Sequence, residues 1–117
     1  MQKTLTDLLI ERKKERNKYV KNWLKYAKKI KKIAQENLAK DVKVYVFGSV
    51  IKGSFGPKSD IDIMIVSEKF KDPQKRSKFG GELLRKGFCQ PFEFHFITPE
   101  VFKNWYKKFI KNNILEI

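Results

Sequence analysis

The N-terminal part of the chain has the apolar periodicity of a helix. Residues 1–47 contain neither Gly nor Pro, and the stretch from Arg12 to Lys18 contains no apolar residue. After it, apolar side chains recur at the three- and four-residue steps of an amphipathic helix: Val20, Trp23, Ala27, Ile30 and Ala34. We predict a core-packed helix from about Asn17 to Ala39. The earlier turns, with Thr4 or Thr6 as N-cap, are expected to project, kink or serve in pairing.

Three later runs have the pattern of β-strands. Val42–Phe47 and Ile61–Val66 are nearly continuous apolar runs, as expected of buried strands, and "PFEFHFI" at 91–97 alternates apolar and polar residues. Between the first two runs, "SVIKGS" predicts a short helix or turn and "FGPKS" predicts a loop.

Two further helices have recognisable first residues. Asp72 as N-cap with Pro73 behind it begins one helix, and Gly87 lies just past its end. Thr98 and Pro99 repeat the same start for a closing helix.

The order of these elements predicts an α/β (α+β) fold. We expect a small mixed β-sheet with helices mainly on one face, preceded by a long N-terminal helix. With 117 residues the chain is one domain rather than two. We divide it into an N-terminal helical region, 1–40, and a core, 42–117.

Acidic residues fall on one predicted face of this sheet. Because side chains alternate across a strand, Asp60 and Asp62 point to one face and Ile61 to the other. Glu93 and His95 share one face of the third strand in the same way. If the apolar sets pack on the helices, Asp60, Asp62 and Glu93 converge on the uncovered face. Neighbouring carboxylates need a cation between them, and Mg²⁺ binds through one or two carboxylates plus substrate phosphates.

The loop before the second strand has the composition of a phosphate site. Gly48 follows a strand directly and allows close approach of a ligand to the backbone. Ser49 places a hydroxyl in what is predicted as the first turn of a helix, where free N–H groups favour an anion. A triphosphate on this loop, with metal held between the acids, is the arrangement for attack on a phosphoryl group.

Each of these features has a simpler interpretation when taken alone. Gly-Ser after a strand is usually a turn, Asp60 can begin a strand, and Asp62 can pair with a lysine. Glu93 at a sheet edge can oppose aggregation. These interpretations do not explain why all three acids share one face beside a glycine loop.

The spacing of these residues resembles a known signature. Gly48-Ser49, Gly53 and then Ser59-Asp60-Ile61-Asp62 resemble the motif of the DNA polymerase β-type nucleotidyltransferase superfamily. The full "GSVIKGSFGPKSDID" is similar to that of minimal nucleotidyltransferases, small stand-alone domains often partnered with HEPN proteins in toxin–antitoxin pairs. "FEFHFITPE" resembles the strand that carries the third acid, so the resemblance extends over about Val42 to Phe102.

The resemblance implies roles for the three acids. Asp60 and Asp62 would be catalytic residues and would bind one or two Mg²⁺ ions. Glu93 would be the third carboxylate, either a metal ligand or the base for the attacking hydroxyl.

It also implies roles around the acids. Gly48 and Ser49 would hold the triphosphate of ATP or another NTP. Lys52 stands where many antitoxin members have arginine, and with Ser59 it would lie close to the bound groups. His95 would orient Glu93 or assist proton transfer; a purely structural histidine is the alternative.

Composition bears on partners and location. The formal net charge of +14 favours acidic partners, although a solvated lysine surface is the simpler interpretation. Cys89 alone cannot form an internal disulfide, and no apolar run approaches the roughly 20 residues of a spanning helix. We therefore expect a cytoplasmic enzyme without a membrane partner.

Three functions are compatible with the sequence. In the first, which the resemblance favours, AMP is transferred from ATP to a hydroxyl on a helical HEPN-type toxin. In the second, the lysines hold RNA and nucleotides are added to it. In the third, the domain acts by contact without catalysis. Because the chain supplies no second helical domain, a partner protein or a homodimer through the first helix would complete the site.

Overall fold

The computed structural model describes residues 2–53, 60–109 and 113–117, except for the side chains of 106–109. Its elements are α1 (Leu5–Lys21), α2 (Trp23–Asn37), β1 (Lys43–Phe47), α3 (Ser49–Lys52), β2 (Ile61–Val66), a 3₁₀ turn (Glu68–Lys71), α4 (Pro73–Arg85), β3 (Phe92–Ile97), α5 (Pro99–Phe109) and β4 (Ile114–Glu116). The predicted mixed α/β architecture is confirmed. Among the described residues, no helix combines the length and the apolar character needed to cross a bilayer.

The N-terminal helical region is broken at Asn22. The α1 helix begins with a capping box, in which Thr4 accepts from the Asp7 N–H and the Asp7 side chain accepts from the Thr4 N–H. Thr4 is therefore the N-cap. The prediction of one core-packed helix from Asn17 is wrong, because Asn22 ends α1. Its backbone departs from helical angles, with φ −112° and ψ 28°, and its side-chain amide donates to the Lys18 carbonyl at 2.9 Å.

The sheet has the strand order β3–β2–β1–β4. The β1 strand is antiparallel to both β2 and β4, and β2 is parallel to β3. The β2 strand is therefore central, with β1 on one side and β3 on the other. The β4 strand was not among the predicted elements; it is three residues long and pairs with β1.

The main core lies on one face of the sheet, beneath α2 and α4. Residues of α2 buried on this face include Ala27, Ile30 and Ala34, and α4 contributes Phe79 and Leu83. They pack against the buried side chains of the central strands: Val44, Val46, Ile61, Ile63 and Ile65. The odd-numbered apolar positions of β2 thus face the helices, as the alternation predicts.

The second face is partly covered, contrary to the expectation that the acids lie on an uncovered face. There α5 packs over a smaller cluster around Met64 and Val66. The ring of Phe102 stacks on Tyr45 with centroids 4.6 Å apart, and Trp105 meets Phe47 edge-on at 5.1 Å. The even positions of β2 are apolar after Asp62, so burying them requires a cover. Only the end of the face that carries the acids remains open among the described residues.

The predicted helix starts are confirmed. The Asp72 side chain accepts from the Gln74 N–H at 2.9 Å at the start of α4. The Thr98 hydroxyl accepts from the Val101 N–H at 3.3 Å at the start of α5. These caps satisfy N–H groups that have no partner inside their own helix.

Candidate active site

The parallel pairing of β2 with β3 brings Asp62 and Glu93 together. The two residues are direct partners in the register, so their side chains leave the same face of the sheet. One carboxylate oxygen of each residue lies close to a ring nitrogen of His95. These three atoms are all within 4.8 Å of one another. We call Asp62, Glu93 and His95 the acid–histidine cluster.

The imidazole of His95 faces both carboxylates. Its Nε2 atom lies 3.6 Å from Oδ1 of Asp62 and 3.9 Å from Oε1 of Glu93. These distances exceed hydrogen-bond length, and the buried Nε2 atom has no hydrogen-bond partner among the described residues. The nearby Asp62 carboxylate raises the pKa of His95 above its usual 6.5; burial opposes this shift and the charge of Glu93 adds to it. Without a metal, the two carboxylates therefore favour the protonated form of this ring.

The acid–histidine cluster fits a divalent cation. A buried imidazole nitrogen without a hydrogen-bond partner and two carboxylates form a set of ligands for such an ion. A cation here would also relieve the repulsion between Asp62 and Glu93. His95, which the sequence placed only beside Glu93, thus belongs to the same group as the acids.

Gly48 lies directly against this cluster. Its backbone has a φ of 84°, a conformation that favours glycine. A β-carbon built at Gly48 would lie 2.5 Å from Oδ2 of Asp62, so the site has no space for a side chain. After it, α3 begins at Ser49 and ends at the exposed Lys52. The structure therefore places the glycine of the predicted phosphate loop beside the carboxylate of the predicted metal site.

Asp60 lies apart from the acid–histidine cluster, at the residue before β2. Its Oδ1 atom accepts a hydrogen bond from Nη2 of Arg16 at 3.3 Å, and its carboxylate is not in the group whose ligand atoms converge. The predicted role of Ser59 lies outside the described residues. The structure thus brings together two of the three predicted acids and gives the third a cationic partner.

The contact made by Arg16 was not predicted from the sequence. The residue lies in the stretch from Arg12 to Lys18, which has no apolar residue and belongs to the turns that were expected to project, kink or serve in pairing. A contact between residues 44 positions apart depends on how α1 crosses the end of the sheet, and no local pattern encodes this.

Comparison with known proteins agrees with the fold. Residues 27–116 match the family profile of the nucleotidyltransferase domain. No curated protein matches the chain.

Two solved structures are similar. One is a protein assigned as a nucleotidyltransferase, with 35% sequence identity and a TM-score of 0.64, covering 79% of this chain and 97% of its own. Another, from Sulfolobus solfataricus and assigned in the same way, has 20% identity and a TM-score of 0.49, covering 80% of this chain and 81% of its own. The family profile spans well over half of the chain, and the first structure is matched along nearly its whole length. This chain therefore belongs to the nucleotidyltransferase domain family and is an enzyme of that class.

Proposed function

We propose that this nucleotidyltransferase transfers AMP from ATP to a hydroxyl on a partner protein, with Mg²⁺ as its metal. The observation that carries the proposal is the acid–histidine cluster directly beside Gly48. Such a cluster offers a cation site within reach of a loop that admits phosphate close to its backbone.

The residues of the chain have distinct parts in the proposed reaction. Asp62 and Glu93, joined by Asp60, would hold one or two Mg²⁺ ions, which supply charge stabilisation to the phosphoryl group. Gly48 and Ser49 would hold the triphosphate, with Lys52 near them. His95, whose imidazole faces both carboxylates, would orient the two acids.

The bonds made and broken follow from this arrangement. The oxygen of the acceptor hydroxyl forms a bond to the α-phosphorus of the nucleotide. The bond from that phosphorus to the oxygen leading to the β-phosphate breaks, and pyrophosphate leaves. The hydroxyl proton passes to a base, for which Glu93 is the candidate if it is not fully used as a metal ligand.

A protein acceptor is supported by the surface of α1. Four apolar side chains of its first turns are exposed: Leu5, Leu8, Leu9 and Ile10. An exposed apolar helix face is a surface on which a second helix can pack. Together with the similarity to minimal nucleotidyltransferases, this favours a helical HEPN-type toxin as the partner and an antitoxin role for this chain. A second copy of the chain is the alternative binding partner for this face of α1.

RNA is a second candidate acceptor, favoured by a different observation. A cleft of about 470 Å³ is lined by Tyr19, Tyr26, Lys29, Lys32 and Lys86, among others. The ammonium group of Lys29 lies 5.3 Å from the ring centre of Tyr26. Aromatic rings and lysines together are the composition of surfaces that bind single-stranded nucleic acid. A domain that binds its partner without catalysis is the third candidate.

Transfer of label from α-phosphate-labelled ATP tests these alternatives. The acceptors are bulk RNA and a candidate HEPN-type protein, offered separately with Mg²⁺. Label on the protein supports the proposal, and label on RNA replaces it with the second candidate. The D60N/D62N double variant is the control, since it removes two carboxylate charges with little change in shape. Label that persists in this variant would show that the acids do not carry the reaction.

A further inference from the structure

Arg16 connects the N-terminal helix to the catalytic end of the sheet. The α1 helix lies outside the part of the chain that matches the family profile, residues 27–116. Its first half is exposed, yet the side chain of Arg16 is only 20% exposed and reaches Oδ1 of Asp60 at 3.3 Å. The bond joins α1 to an acid to which we assign metal binding.

This contact is unfavourable for a metal ion that binds alone. A guanidinium is protonated at all ordinary pH values, so an ion bound at Asp60 would lie close to a fixed positive charge. Like charges at such distances repel more strongly at a partly buried site than in bulk water. Metal alone must therefore displace Arg16 from Asp60 or bind against its charge.

The positive charge of Arg16 becomes favourable when a nucleotide binds together with the metal. The triphosphate brings several negative charges, and a guanidinium forms paired hydrogen bonds with phosphate oxygens. Gly48 adjoins Asp62, and Arg16 binds Asp60, which precedes Asp62 by two residues. We expect a triphosphate bound at Gly48 to extend along this segment towards Arg16.

Arg16 borders an open cleft beside Asp60. It lines this cleft of about 550 Å³ together with Arg12, Lys13, Glu15 and the segment Cys89–Pro91. The same segment touches the acid edge of the sheet, because the Pro91 carbonyl accepts from the Ile61 N–H at 2.8 Å. The cleft therefore adjoins Asp60, and its cationic side chains outnumber the single carboxylate of Glu15.

We propose that Arg16 is a triphosphate-binding residue that pairs with Asp60 in the nucleotide-free enzyme and moves to phosphate oxygens when metal and nucleotide bind together. This inference rests on the proposed function, which assigns Asp60 to the metal. It predicts that Arg16 weakens the binding of metal alone and strengthens the binding of nucleotide with metal.

The test compares the binding of two probes to the full chain. The first probe is Mn²⁺ alone, titrated by electron paramagnetic resonance; the second is a non-hydrolysable ATP analogue with saturating Mn²⁺, titrated by calorimetry. The variants are R16Q and K14Q. Lys14 is exposed on the same helix, so its replacement removes the same charge without touching Asp60.

We expect opposite changes in R16Q. Affinity for Mn²⁺ alone should rise several-fold, and affinity for the analogue should fall by about ten-fold, the typical effect of one lost charge-assisted contact. K14Q should change both by much less. In a D60N background, R16Q should raise affinity for Mn²⁺ by less than in wild type, because the ion no longer competes with Arg16 for a carboxylate at this position.

Other results would overturn the inference in distinguishable ways. If wild type binds both probes and R16Q behaves like K14Q, this inference fails and the proposed function stands. If R16Q weakens both probes equally, Arg16 acts as a general cation or a structural residue, and the exchange of partners is wrong. If wild type binds neither probe, the inference falls together with the proposed function.

Discussion

The backbone of Gly48 and the carboxylate of Asp62 occupy adjoining space, so that a β-carbon on Gly48 would lie 2.5 Å from Oδ2 of Asp62. Gly48 directly follows β1, and Asp62 lies in β2. Their close approach leaves no space for a side chain at Gly48. A change at Gly48 should therefore affect the site through Asp62.

We predict that G48A reduces nucleotide transfer by about 100-fold, the scale expected when a catalytic group moves by about an ångström. The substitution should also lower the free energy of unfolding by about 1–3 kcal/mol, because Gly48 has φ 84° and ψ −153°, a conformation that is almost restricted to glycine. G53A is the matched control, since Gly53 has a φ of 73° but open space around its β-carbon position. G53A should show a smaller loss in urea denaturation, because it creates no clash, and near-normal transfer. Equal loss of activity in both variants would show that strain, and not Asp62, is responsible.

Glu93 is predicted to couple metal binding to stability. Divalent metal should raise the free energy of unfolding of wild type, by about 2.7 kcal/mol at a concentration 100 times the dissociation constant. E93Q should lose most of this gain and reduce transfer by at least about 100-fold. E68Q removes an exposed carboxylate paired with Lys71. It should keep both the stabilisation by metal and the transfer activity. Denaturation with Mg²⁺ and with a chelator measures the gain; an undiminished gain in E93Q would remove Glu93 from the metal site.

His95 is predicted to give the metal-free protein a pH-dependent stability. Asp62 raises the pKa of His95 in the folded state above its ordinary 6.5. The resulting stabilisation is fully present below the ordinary value and is lost as the pH rises through the raised value. In a chelator, wild type should exceed H95Q in stability most at acidic pH, and the difference should shrink towards mildly alkaline pH. Urea denaturation of both proteins over this range measures it, and a difference that grows with pH would contradict the prediction.

The exposed apolar face of α1 is predicted to matter for association and not for folding. Leu9 is 56% exposed, so L9Q should change the stability of the isolated chain by less than about 0.5 kcal/mol. It should weaken binding of the protein acceptor, or self-association, when either is measured by sedimentation. L84Q is the control, because Leu84 is equally exposed on α4. If L9Q and L84Q have the same effect on association, α1 is not the docking surface.

Local patterns predicted much of this structure. The observed β2 begins and ends at the predicted residues, Ile61 and Val66, and the caps at Asp72 and Thr98 are as expected. These features depend on alternation and on side chains that satisfy nearby N–H groups, which are properties of short segments. The partnership of Asp62 with Glu93 could also be predicted, because the apolar alternation of each strand determines which side chains share a face.

The features that could not be predicted depend on distant parts of the chain. The β4 strand is three residues long and exists through its pairing with β1. The covering of Met64 by α5 and the pairing of Arg16 with Asp60 depend on how helices cross the sheet. No sequence window contains these contacts. The site is therefore less open and less acidic than the local patterns predict.

The parallel register of β2 and β3 has a consequence for insertions and deletions. Glu93 faces Asp62 because side chains alternate along β3. Glu93 and His95 point to one face of the sheet, and the phenylalanines between and beside them point to the helices on the other. One extra residue within β3 ahead of Glu93 would turn the carboxylate towards the core and a phenylalanine towards the metal site. An extra residue in the turn after α4, where a Cβ on Gly87 would meet open space, leaves this parity unchanged. Length variation that preserves activity should therefore collect in the connections and be absent from the strands.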